Sequence, residues 1–233
     1  MSPAEIKTLG SLLRAGETDL PCAQLQANLH LLQHRFSGNY TALMLAAEAE
    51  NQALADQLIA LGASLDFISA IALNRLEAVH QMLHDHPAII HKRTPISTSP
   101  LHIAAAHASP ESLSLLIDHG ADVNDGAGTR WGTPLFRAAT IANAELLLNA
   151  GAQINARAKH GFTPLHCAIH SSEKYVAFLL GHGADPALQT NARQTPWTLA
   201  VRHGRRSIVQ LLMQFPSPRP PQQETLPEPA PPT

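Results

Sequence analysis

Aromatic side chains are scarce in this sequence: six Phe, two Tyr and two Trp make up 4% of its 233 residues. Core volume therefore has to come from Leu, Ile, Val and above all Ala, whose small methyl lets neighbouring backbones approach, as in closely stacked helices. Cysteine is nearly absent as well. Cys22 and Cys167 lie far apart with no CxxC and no Cys/His ligand spacing, so no disulfide framework is indicated and both thiols are expected reduced. Excess charge of one sign is missing too. A net charge of −2 and a pI near 6.7 exert no global pull on phosphate backbones or anionic lipid, which disfavours nucleic acid as the main partner. No segment approaches the roughly 20 apolar residues that span a bilayer. The first residues, MSPAEIKTLGSLLRAGETDL, hold Lys7 and Arg14 but no continuous apolar stretch and no small-residue cleavage site. A cytoplasmic location without membrane contact is the expectation.

What is present is self-similarity, the first thing to look for in a chain of this length. Four segments align on a Thr/Ser-Pro-Leu step or its close variant, beginning at Ser99, Thr133, Thr163 and Thr195. A fifth begins at Thr41 and lacks only the proline. About twenty residues after the step comes a Gly-Ala landmark, at Gly62, Gly120, Gly151 and Gly183. The segment from Thr195 stops at Leu211-Leu212-Met213 without reaching it.

Each landmark has a mechanical reason. Thr or Ser is a good N-cap and Pro fits the first helical turn, so the step starts a short helix. The Ala-Ala that follows leaves room for a neighbour. Runs such as Leu113 to Ile117 or Tyr175 to Leu180 read as a second helix with an apolar stripe. The Gly of Gly-Ala then ends that helix in a left-handed turn. One such pair cannot bury its own apolar face, so it must stack on the next.

With both landmarks recurring at matched separation, residues 39 to 213 resemble the ankyrin repeat. The resemblance implies an all-α ankyrin-repeat solenoid of about five to six repeats over 38–215, with short β-hairpin or loop fingers between helix pairs. Residues 67–97 look like a degenerate repeat in which Pro87 follows the second helix in place of Gly-Ala. The repeat from Thr133 is about three residues short around Thr140 to Glu145, so one of its helices must lose most of a turn. The Asp that usually opens the family's finger is replaced by Ala158 and Thr190. Residues 1–37 carry two more apolar-periodic stretches and are expected to form a helical N-terminal cap, the alternative being a first repeat decayed beyond recognition. From Pro216 the chain is dominated by Pro with Glu and Gln, and 216–233 is expected to be a disordered tail. Its PxxP matches at Pro218 and Pro229 are nearly automatic in so Pro-dense a stretch.

Fourteen histidines raise the question of a metal site or a general base. Most have a structural address. His102 and His166 stand in the Pro-Leu-His step, where the imidazole can bond the capping Ser99 or Thr163. His119 and His182 precede the Gly-Ala turn, near a helix C-terminus that favours positive charge. His84, His86 and His91 are the densest group but match no zinc spacing. There is no GxSxG, no Gly-rich phosphate loop and no HExxH. No catalytic residue, no metal and no cofactor is expected, and a His- or metal-dependent enzyme is the alternative from another class.

A surface remains. In the ankyrin family, ligands usually meet the finger tips and the exposed side of the first helices. Carried over by position, the fingers offer Tyr40, Arg130, Trp131, His160 and Phe162, and the first helices offer Glu48, His107, His170, Arg202 and His203, with Thr140 and Ile141 at the matching place in the short repeat. Aromatic anchors bury large area at little rotamer cost, so scarce rings on fingers suggest a hot spot. The excess of potential positive charge would steer an acidic protein partner and respond to pH near 6.5. The expected function is a non-catalytic adaptor or regulator that acts as a monomer. An exported effector or a toxin-neutralising protein is the rival within the same class.

Overall fold

The computed structural model describes residues 2–36, 40–94, 98–107, 109–126 and 132–215. The Pro-rich tail and the finger residues Arg130 and Trp131 lie outside them. The described residues fall into two compact units: the first comprises those up to 126 together with 133–152, and the second comprises Gly132 with 153–215. Among them every regular element is helical, and the fold is an all-α array of antiparallel helix pairs.

In the first unit, α1 (Pro3–Arg14) and α2 (Asp19–Ala27) are followed by α3 (Ala42–Glu48) with α4 (Gln52–Ala60), then α5 (Phe67–Ala72) with α6 (Leu76–Asp85). After these come α7 (Pro100–His107) with α8 (Pro110–Asp118), and α9 (Ile141–Asn149). The second unit holds α10 (Pro164–Ala168) with α11 (Glu173–Gly181), and α12 (Pro196–Arg202) with α13 (Arg206–Leu212). Local chemistry starts these helices. Thr41 Oγ1 accepts from Met44 N at 3.2 Å and Thr195 Oγ1 accepts from Thr198 N at 3.2 Å. In 67–72, which lack the Thr-Pro step, Asp66 takes over the cap by accepting from Ser69 N at 3.0 Å. The second helices end in one recurrent motif, with Ala63, Ala121, Ala152 and Ala184 donating back to Leu58, Leu116, Leu147 and Leu179 at 2.9–3.0 Å. The preceding glycines take φ between 84° and 97°, and a Cβ added there would meet nothing within 4 Å. Backbone conformation, not lack of space, selects Gly at these turns.

The fingers contain no strand among the described residues. Four of them are each closed by one backbone bond, from Phe36 N to Tyr40 O, Thr94 N to Thr98 O, Ala158 N to Phe162 O and Thr190 N to Gln194 O, at 2.8–2.9 Å. Every one of these bonds ends one residue before the Thr or Ser that opens the next helix.

The first unit also contains a longer period that the landmarks do not reveal. The 3-10 turn Leu29–Gln33 after α2 reappears as Pro87–His91 after α6, a constant 58 positions on. The same shift maps the finger bond of Phe36 onto that of Thr94, the cap Asn51 onto Ser109, and α4 onto α8. It maps Gly16 (φ 76°) onto Asn74 (φ 54°), the left-handed residue that ends the first helix of each pair. Buried Leu9, Leu13 and Leu25 map onto buried Phe67, Ile71 and Leu83. Residues 3–33 thus have the element order and core positions of 67–91, with α1 extended by extra N-terminal turns.

The short repeat loses its first helix. Pro134–Arg137 forms only a 3-10 turn, and Ala138 leaves helical conformation at φ −58°, ψ 110°. Two donors replace the missing helical packing by converging on one carbonyl: Ala139 N and Asn143 Nδ2 reach Ala105 O at 3.0 and 3.2 Å. Thr140 caps α9, and Ile141 opens it, exposed. They sit at the start of a second helix, not on a first-helix face as their sequence position suggests.

Candidate partner-binding face

Two of the expected site residues are joined by a third that sequence position did not single out. Tyr40 closes the first finger, and Glu48 ends α3. Arg14, at the end of α1, places its Nε 3.4 Å from Glu48 Oε2 and its guanidinium 5.9 Å from the centroid of the Tyr40 ring. Burial, and then the Glu48 carboxylate, push the Tyr40 phenol above its ordinary range, against the Arg14 and Arg137 charges. The ring is half-buried and packs on the core of its own unit. His107, at the end of α7, lies with Nδ1 3.2 Å from Glu50 Oε1. Carboxylates therefore face both Arg14 and His107 on this side of the first unit.

In the second unit His170 and His203 are exposed at the ends of α10 and α12, their rings edge to face at 4.5 Å. Arg202 precedes His203 and is exposed. None of the three has an ion-pair partner among the described residues. His160 is exposed on its finger, and its carbonyl accepts from Asn191 N of the following finger at 2.8 Å. Phe162 is half-buried, edge to face with His166 at 5.7 Å, and packs on the core of its unit. The rings of Tyr40 and Phe162 thus lie against their own repeats, which reduces the area either has left for a partner.

The buried histidines have structural roles. His102 Nδ1 is 2.7 Å from Ser99 Oγ. His166 Nδ1 accepts from Thr163 N at 3.2 Å, so its Nε2 carries the proton and donates to Gln194 O at 3.0 Å. One neutral ring thereby ties a helix start to the next finger. Burial holds the His166 pKa below the ordinary 6.5. A depressed pKa makes the unfolded chain the better proton acceptor, so this contribution to stability is full above about pH 6.5 and is lost as pH falls toward the folded-state value. Urea unfolding at pH 8 and pH 5 should show a larger acid loss for the wild type than for His166→Gln. Equal losses would mean that His166 is not neutral in the fold. Among the described residues no three of His, Cys, Asp and Glu are grouped to hold a metal ion, and no helix is long and apolar enough to cross a membrane.

The family model for ankyrin repeats (three copies) matches residues 67–158, 126–190 and 143–221, together more than half of the chain. This chain belongs to the ankyrin-repeat family. Two human proteins illustrate the likeness. Ankyrin repeat and SOCS box protein 6 is 32% identical over 128 residues, covering 50% of this chain and 30% of that protein. Ankyrin repeat, SAM and basic leucine zipper domain-containing protein 1 is 37% identical over 102 residues, covering 40% of this chain and 21% of its own length. The chain thus spans less than a third of the curated relatives it matches. Ankyrin repeats generally mediate protein–protein interaction, and the family is typically non-enzymatic.

Proposed function

We propose that this ankyrin-repeat chain is a non-catalytic adaptor or regulator that holds an acidic protein partner on its fingers and first-helix ends, in the cytoplasm. The observation that carries the reading is the group of exposed cationic or protonatable side chains on the second unit: Arg202, His203 and His170, with His160 on the adjoining finger. Arg202 ends α12, His203 caps it, His170 follows α10, and none of the four has an ion-pair partner among the described residues. Such charges speed association with an acidic surface more than they deepen affinity. The names of the relatives, which join ankyrin repeats to a SOCS box or to SAM and leucine-zipper modules, fit repeats used as a docking part. In this reading 1–37 closes one end of the array as a repeat-like cap, 38–215 carries the binding face, and the 216–233 tail stays passive.

An affinity pull-down with mass spectrometry identifies the partner, and titration calorimetry on variants tests the face. Trp131→Ala should weaken binding by about 2 kcal/mol, the scale of an aromatic hot spot, without loss of folding. Arg202→Glu should slow association and flatten its salt dependence. Glu173→Ala and Lys174→Ala, at the start of α11, should change little. A strong loss from the α11 pair with none from Trp131 or Arg202 would move the interface to the second helices and overturn the reading.

A further inference from the structure

Stacking buries the same positions in pair after pair, and their contacts show which neighbour each position faces. Three residues after the caps of α4, α8, α9 and α13, Leu54, Ser112, Asn143 and Ile208 are 0–1% exposed. Two of them bond back to the preceding helices: Ser112 Oγ donates to Asn74 Oδ1 at 2.6 Å, and Asn143 Nδ2 to Ala105 O at 3.2 Å. On a first helix the buried positions face forward. Leu165, His166 and Ile169 are 0% exposed. His166 reaches Gln194 O of the next finger, and the two apolar chains share a core cluster with Leu199 and Ala200 of α12.

The first pair of the first unit and the last pair of the second leave these positions open. Leu20 stands where the 58-residue shift places half-buried Ala78, three residues after the cap of α6, yet it is 56% exposed. Leu12 is half-buried where Ala70 is 0% exposed. In α12 and α13, Trp197 and Val201 are half-buried at the places of Leu165 and Ile169, and Met213 is 63% exposed where Leu180 is 4%. Leu20 and Met213 are the two most exposed large apolar side chains among the described residues. Repeat arrays ordinarily close with a polar outer face, and neither pair has one. Charge adds a direction. Residues 1–152 hold 14 Asp and Glu against 8 Lys and Arg, whereas residues 153–215 hold 2 against 7. We infer that a second copy of this chain fills both places, the α12–α13 face of one copy receiving the α1–α2 face of the next as a continued stack. The α1–α2 pair brings Glu5, Glu17 and Asp19, and α12–α13 bring Arg202, Arg205 and Arg206 with no carboxylate. Two α12–α13 faces meeting each other would set those arginines against their own copies. The contact uses end faces and leaves the fingers to the partner proposed above. The monomer expected from the sequence is then the dilute form.

Sedimentation velocity on the full chain, from micromolar to near-millimolar concentration, tests this. The mean mass should climb past that of a dimer, because a head-to-tail contact does not close on itself, and added salt should lower it. Leu20→Glu and Met213→Glu change exposed side chains and each spoil one face, so each alone should associate roughly tenfold more weakly or less well still. Mixed in equal amounts, the two variants retain one good face each and should form a single one-to-one complex. Ala177→Glu, exposed on α11, is the control for added charge and should associate as the wild type does. Circular dichroism checks that each variant is folded. A wild type that stays monomeric throughout, or a mixture that does not pair, would overturn the inference. A dimer lost in Met213→Glu but kept in Leu20→Glu would also overturn it, in favour of like-with-like pairing of the α12–α13 faces. So would association that begins only when residues 217–233 are deleted, since the occupant of the α12–α13 face would then be the chain's own tail.

Discussion

Ala104→Pro should destabilise the protein by about 3 kcal/mol or more. Ala104 lies in the middle of α7 and is 0% exposed. Proline there removes a helical N–H and drives its ring into the carbonyl of the preceding turn. The helix is only eight residues long and packs between α5 and α8, so no unstrained stretch is left to absorb a kink. Two controls separate backbone damage from lost packing. Ala104→Gly keeps the N–H and should cost about 1 kcal/mol. Gln52→Pro puts proline directly after the cap Asn51, the position that Pro110 occupies after Ser109, so it should cost no more than the lost bond from Gln52 Nε2 to Leu73 O, about 1 kcal/mol. Urea denaturation followed by circular dichroism measures all three. A wild-type midpoint for Ala104→Pro would mean that α7 is not the packed first helix of its pair.

Phe67→Ala should cost about 3–5 kcal/mol, the range for deleting a buried aromatic ring. Phe67 is among the largest fully buried side chains and begins α5, in the segment that lacks both sequence landmarks. Asp66 caps this helix in place of the missing Thr-Pro step, and the Phe67 ring anchors its start in the core. Phe67→Leu should be far milder, because Leu9 fills the corresponding place 58 positions earlier at 0% exposure. A Phe67→Ala variant within about 1 kcal/mol of wild type would show that 67–85 contributes little to the core of the first unit, where fully buried rings ordinarily cost several times that.

The helix pairs from Thr41, Ser99, Thr163 and Thr195 were legible because their signals are local. A hydroxyl that caps a helix and a glycine that turns left both act within a few residues, so their spacing alone sets the repeat. The same locality placed His102 and His166 at their capping partners. It failed in the short repeat, where the three missing residues were plain but the helix that gave way was not. That choice was made at a distance, by Ala105 O accepting both Ala139 N and Asn143 Nδ2.

The candidate site was read less well, since a residue's position in a repeat does not say what lies across from it. Tyr40, Glu48 and His107 stood out from the sequence, but Arg14 and Glu50, which face them, did not. Arg14 meets Glu48 across 34 positions, and His107 meets Glu50 across 57.

By itself, then, the sequence determined the repeat, the family and the caps and turns of the regular helix pairs, since these are set by near neighbours. Only the tertiary structure decided that residues 3–33 follow the pattern of 67–91, which rings pack on the core, and which charges meet carboxylates of their own chain. Those outcomes depend on what packing brings together across 30 to 60 positions, a distance over which capping and periodicity carry no information.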